Sequence, residues 1–409
     1  MSVPAPPGDG ERAPRVGALR PGARPSRLVL LTGLDVRAYR GGEKWAAALG
    51  RELADRGVEV RLLSKVDPHE HYRLDLASLP TVLRLPVEFY RLFWLPALPP
   101  LPLAPRRFVR ALAWAESVYT MESTPRFVTL VVLLCRSLGR RVVVGLHHPT
   151  LVDNLAAEVE TKGRRRWGTS LARAMLRSAD AVHVLNAHQA ATLARIGVRA
   201  NVVVVPNFAT VPPGPAPVPT STTFEALFVG PLEREQKGID LLVDVAHRVL
   251  PAEPSIRLTV VGAGRNADLV ERLAQEFPGR VRYLGFVSEE RLLALYGEAH
   301  VLWMTSRAEA FPAVALEAFT HGLPVVGFAV AGLEDLSVVY PEGRVAPFDT
   351  AAFAARVLGL ERLWHDARAD YDRLRERCRA ETAARFGVDA QLPRLAAVLG
   401  VRLREAPGA

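Results

Sequence analysis

Short β-branched runs alternate with helical segments along almost the whole chain, and the alternation starts twice. The first series comprises Leu28 to Thr32, Val58 to Leu63, Ser117 to Thr120, Arg141 to Leu146, Ala181 to Leu185 and Val202 to Val205. The second comprises Ala226 to Val229, Arg257 to Val261, Val281 to Leu284, Val301 to Thr305 and Pro324 to Gly327. Strands joined by helix-length connections pair in parallel, because such a crossover returns the chain to the same end of the sheet. Parallel sheets need helices over both faces, and Leu242, Val245, Ala246 and Val249 fall on one helical face between two strands of the second series. Between the series lies Val211 to Thr223, rich in proline, serine and threonine, which supports neither pattern.

The expected fold class is α/β, with two Rossmann-like doubly wound parallel-sheet domains facing a central cleft. At 409 residues the chain is too long for one ordinary core. The boundaries that follow are a disordered Pro/Arg-rich tail at 1–26, a first domain at 27–207, a linker at 208–223, a second domain at 224–385, and a C-terminal helix within 386–409 that returns to the first domain. Glu361 to Arg385 alternates charges at helical spacing and predicts one long exposed helix. Asp370, Tyr371 and Asp372 look like a metal motif but lie in that helix rather than after a strand, so they read as part of a solvated face.

The net charge of +9 favours anionic partners. No zinc-finger or RNA-recognition signature and no compact basic run interleaved with aromatics is present, so nucleic acid is not an expected partner. Cys135 and Cys378 are too few for a disulfide framework, which agrees with a reducing cytoplasm. The uncharged stretch Leu92 to Pro105 is too short and too broken by proline to cross a bilayer. It reads first as a loop packed on its own domain. Phe89, Tyr90, Phe93 and Trp94 at one end and Arg106, Arg107 and Arg110 at the other leave open a peripheral contact with an acidic membrane at its inner face.

In doubly wound sheets ligands bind beyond the carboxyl ends of the strands, so residues just after strands are the candidates for chemistry. Gly41 and Gly42 precede a helix and expose backbone N–H groups suited to a phosphate; an ordinary turn is the alternative. Lys237 lies near a helix start, where a cation opposes the helix dipole unless an anionic ligand compensates; a solvated lysine is the alternative. Glu309 and Glu317 follow the strand ending at Thr305 and can accept hydrogen bonds from sugar or ribose hydroxyls, unless they are plain surface glutamates. His147 and His148 follow the strand ending at Leu146, where an imidazole can bond a hydroxyl or assist proton transfer. Metal binding there is not expected, since adjacent histidines diverge and no third ligand is near.

The segment SRAEAFPAVALEAFTHGLPVV from Ser306 resembles the donor-site signature of glycosyltransferase family 4. GPLEREQKGIDLL from Gly230, LTVVGAG from Leu258, VRYLGFV from Val281 and VAGLEDL from Val330 occur in that family's order. The first half is similar through YRGGEKWAAALGRELADRGVEV from Tyr39, VVVGLHHP from Val142, ADAVHVLN from Ala179 and VVVVPNF from Val202. The resemblance implies a retaining transferase of the GT-B fold whose nucleotide diphosphate sugar is held mainly by the second domain. It implies Lys237 on the diphosphate, Glu309 and the amides around Phe311 and Ala313 on the transferred sugar, Glu317 on the ribose, and the Gly41–Gly42 loop opposite the diphosphate. His147 would sit against the sugar, with His148 as second choice.

The sequence departs from the family pattern at three positions. Pro231 stands where a phosphate-binding arginine is frequent, leaving Arg234 as its substitute; Pro312 stands where glycine is usual, and Phe208 where glycine is common. No cofactor and no metal is implied, and the acceptor is a glycan, a lipid-linked or a small molecule. Two other readings stay open: another enzyme of this architecture, such as an inverting transferase or a sugar epimerase, and a noncatalytic nucleotide-sugar-binding or scaffold protein.

Overall fold

The computed structural model describes residues 24–404 apart from 34, 36–40, 67–84, 94–100, 122–124, 149–150, 163–166, 200, 218 and 220. The expected tail lies outside the described residues up to residue 23, as do Trp94, Pro96, Pro99 and Pro100.

In chain order the first half contains β1 (Arg27–Thr32), α1 (Gly41–Asp55), β2 (Glu59–Lys65), β3 (Val87–Tyr90), a short antiparallel pair β4 (Leu92–Phe93) and β5 (Leu101–Pro102), α2 (Pro105–Trp114) and β6 (Ser117–Met121). It continues with α3 (Pro125–Ser137), β7 (Arg141–Leu146), α4 (Leu151–Lys162), α5 (Trp167–Ser178), β8 (Ala181–Val184), α6 (Ala187–Arg195) and β9 (Val202–Val204). Seven strands form one sheet in the order β3-β2-β1-β6-β7-β8-β9, every pair parallel.

The second half runs β10 (Phe224–Val229), α7 (Arg234–Lys237), α8 (Ile239–Ala252), β11 (Ile256–Val261), α9 (Ala267–Glu276), β12 (Val281–Tyr283), α10 (Glu289–Glu298) and β13 (Val301–Met304). It ends with α11 (Ala313–Thr320), β14 (Val325–Phe328), α12 (Ala331–Leu336), β15 (Arg344–Val345), α13 (Thr350–Asp366), α14 (Arg368–Phe386) and α15 (Val388–Leu399). Its sheet has the order β12-β11-β10-β13-β14-β15, again parallel throughout. The α/β class with two doubly wound parallel sheets therefore holds. The order reverses between β1 and β6 in one sheet and between β10 and β13 in the other, so each sheet has a switch-point crevice at its carboxyl edge.

Helix α8 shows why the pattern was legible. Leu242, Val245 and Val249 are fully buried on the sheet, each contributing about 1.5–3 kcal/mol. Both cysteines are buried and free, their thiols pushed up to about 12 chiefly by burial. Among the described residues no helix is long and apolar enough to cross a membrane.

The single exposed helix expected over Glu361 to Arg385 does not form. The chain breaks at Ala367 between α13 and α14, and α14 buries Tyr371, Arg375, Cys378 and Arg379 among others. Two of its arginines are not solvated because backbone carbonyls satisfy them. Arg375 donates to the oxygens of Pro217 at 2.5 Å, His321 at 3.2 Å and Ala299 at 3.3 Å. Arg379 donates to Thr320 and Gly214, both at 2.6 Å, and to Pro212. In the Asp370–Tyr371–Asp372 triplet, the tyrosine is buried with its hydroxyl on the His300 carbonyl at 2.7 Å, while the aspartates pair at the surface with Arg373 and Arg368.

These arginines tie residues 212–217 to the end of α11. Arg379→Leu strips three carbonyls of their donor and is expected to remove about 3 kcal/mol of stability, since hydrogen bonds to charged groups are the stronger kind. Calorimetry should show Tm lowered by several degrees; an unchanged Tm would mean that water serves those carbonyls equally well.

Helix α15 crosses to the first sheet, burying Leu392, Leu395, Ala396 and Leu399 in one cluster with Leu28, Trp45 and Val143. Arg141 at the start of β7 donates to the Val398 carbonyl at 2.9 Å, holding the end of the helix. The two chain passages between the sheets are joined by Ala209 N–H to the Phe386 carbonyl at 2.9 Å and a bridge from Ala209 to Gly387.

Candidate active site

Lys237 and Glu309 meet at the switch point of the second sheet. Lys237 follows β10, closing the one-turn helix α7, and Glu309 follows β13; Lys237 Nζ donates to Glu309 Oε1 at 2.5 Å. Their side chains are 11% and 6% exposed, so the pair is largely shielded from solvent. Gly238 makes the approach of the two loops possible. It sits at φ +62°, and a Cβ there would lie 2.2 Å from the Thr305 carbonyl oxygen. The lysine stem packs over Gly230, and the Thr305 hydroxyl donates to the Lys237 carbonyl at 3.1 Å.

The Glu309 loop is pinned from two further sides. Gly332 in α12 donates its N–H to the Glu309 carbonyl at 3.1 Å, and a Cβ there would lie 2.0 Å from the Ala310 oxygen. From the first domain, Asn186 Nδ2 donates to that same Ala310 oxygen at 2.6 Å, while its Oδ1 caps α6. Pro312 is the N-cap of α11 rather than its first residue, and no side chain caps the helix. The first N–H groups of α11, beginning with Ala313, are thus left for a ligand or solvent. Phe311 is buried with its ring against Phe386, so only its main chain can serve a site.

Glu317 lies four residues into α11, about 6 Å along the axis from Ala313. Its Oε2 accepts from the Tyr296 hydroxyl at 2.9 Å. Burial pushes its carboxyl above the usual range, and the charge of Lys44 acts in the opposite sense. Lys44 belongs to the first turn of α1, following Gly41, Gly42 and Glu43, and also pairs with Glu289 of the second domain at 3.4 Å. The glycine pair therefore opens a helix whose start faces the second domain at Glu317. The 36–40 part of that loop lies outside the described residues.

Arg234 is exposed: its N–H meets Asn266 Oδ1 at 3.2 Å, its carbonyl accepts from Arg307 at 2.7 Å, and its charge acts on Glu235 and Asp240. His148 is also exposed. His147 is buried, with Nε2 2.7 Å from the Tyr119 hydroxyl and its ring 4.5 Å from that of Trp45. Burial first, then the neighbouring His183, holds its pKa well below the ordinary histidine value. Phe208 packs against Trp45 at 6.1 Å between centroids, which accounts for an aromatic residue in the hinge. Among the described residues no three His, Cys, Asp or Glu side chains group so as to hold a metal ion.

Residues 223–362 match the glycosyl transferases group 1 family, and residues 40–207 match the glycosyl transferase 4-like domain. The chain belongs to the group 1 glycosyltransferases. An uncharacterized glycosyltransferase of Methanocaldococcus jannaschii is 38% identical over 112 residues, 27% of this chain and 28% of that protein. The D-inositol 3-phosphate glycosyltransferase of Geodermatophilus obscurus is 37% identical over 153 residues, 34% of each. The chain thus spans about a third of the length of the curated relatives it matches. The Anabaena HepE structure in complex with UDP-glucose superposes with a TM-score of 0.68 at 18% identity, covering 91% of this chain and 99% of that one. That likeness gives the group 1 chain the GT-B arrangement of two Rossmann-like domains.

Sequence reasoning missed several residues of this group 1 site. Asn186 follows β8 and satisfies the same after-strand rule that singled out Lys237 and Glu309. Gly332, Tyr296, Tyr119 and His183 carry no such signal; His183 alone is marked, as a polar residue inside an otherwise apolar buried strand.

Proposed function

We propose that this chain transfers a hexose-type sugar, with retained anomeric configuration, from a nucleotide diphosphate sugar to a glycan, lipid-linked or small-molecule acceptor. The observation that carries this reading is the Lys237–Glu309 pair at the switch point, flanked by the uncapped start of α11. Without donor, Glu309 is the anion that neutralises Lys237. With donor bound, the diphosphate takes up the lysine charge, and Glu309 is freed to accept from sugar hydroxyls and to face the positive charge developing on the ring.

The diphosphate leaves while Lys237, the α11 amides and the start of α1 stabilise its charge, and the acceptor hydroxyl attacks the same face. The leaving oxygen takes the acceptor's proton, so no protein nucleophile is needed. The reading assigns no resident metal, because these cations and amides supply the charge. His147 bonds the sugar, and Glu317 beside Tyr296 accepts from the ribose. The HepE complex with UDP-glucose supports such a donor in this fold.

The acceptor is assigned to the first domain. A cavity of about 590 Å³ lies beyond β2 and β3, lined among others by Leu63, Tyr90, Leu103, Arg91 and Arg107. Leu103 is 60% exposed beside the exposed arginines of α2, which suits an acceptor with an apolar chain and an anionic head at an acidic membrane. Flotation with vesicles containing or lacking acidic lipid tests this placement.

The deciding experiment is release of nucleotide from a panel of nucleotide sugars, followed by the anomeric configuration of the product. No release from any donor would favour a noncatalytic protein, and an inverted product would exclude the retaining mechanism. Glu317→Ala is expected to weaken nucleotide-sugar binding about ten-fold or more, by loss of a charge-assisted pair of bonds. Titration calorimetry with unchanged affinity would remove Glu317 from the site.

A further inference from the structure

A buried chain of hydrogen bonds crosses three strands of the first sheet. His183 on β8 has Nε2 2.7 Å from the Val205 carbonyl and Nδ1 2.7 Å from the Tyr119 hydroxyl; that hydroxyl is in turn 2.7 Å from His147 Nε2. Tyr119 and His183 have no exposure. The direction of every bond follows from its fixed end. A carbonyl oxygen only accepts, so His183 Nε2 carries the proton. The neutral imidazole then has a bare Nδ1, to which Tyr119 must donate its O–H. The phenolic oxygen is left to accept, so His147 carries its proton on Nε2. Its Nδ1 is consequently unprotonated, and it has no hydrogen-bond partner among the described residues.

The sheet is built to admit this chain. Tyr119 lies on β6, and its ring passes over β7 to reach His183 on β8. It passes at Gly145, where a Cβ would lie 2.3 Å from the tyrosine hydroxyl oxygen. Trp45 of α1 covers all three rings, at 4.5 Å from His147 and 6.3 Å from Tyr119 and His183. Val205, the anchor, bonds its own N–H to the Val184 carbonyl at 3.0 Å and stands at the entry to the interdomain passage.

We propose that Tyr119 and His183 are positioning residues which, through this directed relay, hold His147 as the Nε2–H tautomer and present its Nδ1 as an acceptor for a substrate hydroxyl. The assignment of a sugar hydroxyl rests on the function proposed above; the relay itself does not. A sugar bonded there must donate, so a deoxy or O-methyl sugar at that position loses the contact. The tautomer follows from the bond its other nitrogen makes.

The test is the ring ¹⁵N spectrum of the unliganded full chain with labelled histidine, His147 being assigned by the signal missing in His147→Asn. The expected pattern is a protonated Nε2 and a bare Nδ1 in the wild type, and loss of that single tautomer in Tyr119→Phe with kcat/KM for donor turnover lowered about ten-fold. Gly145→Ala, which displaces the hydroxyl, should reproduce Tyr119→Phe. His183→Gln can still donate to Val205 and accept from Tyr119 through its amide, and should retain the wild-type pattern where His183→Leu does not. A wild-type His147 protonated on Nδ1, or Tyr119→Phe with ring signals and turnover unchanged, overturns the relay. Absence of turnover with every donor while the ring pattern is as expected overturns the proposed function and leaves the relay standing.

Discussion

Glu309→Gln is expected to lower both sugar transfer and acceptor-independent donor hydrolysis by about 100- to 1000-fold, with Lys237→Ala falling in the same range. The substitution at 309 keeps volume and hydrogen-bonding shape but removes the charge that neutralises Lys237 2.5 Å away and that, in the proposed mechanism, faces the developing positive ring. Lys237→Ala instead removes the cation that the proposed mechanism places on the departing diphosphate, so it should act on leaving-group departure and on donor affinity together. Both groups are shielded, and unpairing either one destabilises the fold by up to about 3–5 kcal/mol. Rates are therefore to be compared at a temperature where circular dichroism shows each variant folded. Residues that act as one unit give a double variant barely worse than either single one, and this is the expected result. Near wild-type hydrolysis by either single variant would remove the pair from the chemistry and leave it a structural ion pair.

Acidification is expected to destabilise the protein steeply between pH 6.5 and 4.5. Burial pushes His183 down to about 4 and His300 down to about 3, the charges of Arg375 and Arg368 adding to the effect at His300, and His147 lies well below its ordinary value. Glu225 N–H donates to His300 Nδ1 at 3.0 Å, and Phe224, Trp364 and Tyr371 surround that ring, all of which favours the neutral form. These folded-state values lie below the unfolded value of 6.5. The stability they carry is therefore complete above pH 6.5 and is lost as pH falls toward the folded values, at about 1.4 kcal/mol per pH unit for each histidine.

Asp335 opposes this trend. Burial and the charge of Glu334 push it up to about 6, so the folded state takes its proton before the unfolded chain does and gains stability below that pH. Glu317, also raised, acts in the same sense. His183 and His300 together outweigh Asp335, so the net change by pH 4.5 is expected to be a loss on the order of a few kcal/mol, a large share of a typical domain's stability. Urea unfolding at pH 7, 6 and 5 measures it, and His300→Asn, whose amide oxygen can still accept from Glu225, should flatten the slope by one histidine's share. An identical slope in that variant would show that His300 does not stay neutral in the fold.

The parallel sheets were legible because strand and helix periods are local properties of the chain. Burial of alternating or three-to-four-spaced apolar residues needs no knowledge of what covers them, so runs such as Arg141 to Leu146 and the α8 face read correctly. The two-residue strand β15 and the edge strand β3 were not legible. Each exists only because a neighbouring strand supplies its partners.

The C-terminal arginines were misread for a related reason. Charge alternation announces a solvated helix unless something else satisfies the charges, and the carbonyls that do so for Arg379 lie 59, 165 and 167 residues away. The chain by itself determined the architecture and the after-strand placement of Lys237, Glu309, Glu317 and His147, since a parallel sheet delivers every loop after a strand to one edge. Only the tertiary structure decided that Lys237 faces Glu309, that Asn186 reaches across to Ala310, and that a tyrosine passes over Gly145 to set the proton of His147. Those contacts join residues on different strands or different domains, and local periodicity carries no information about distances across the fold.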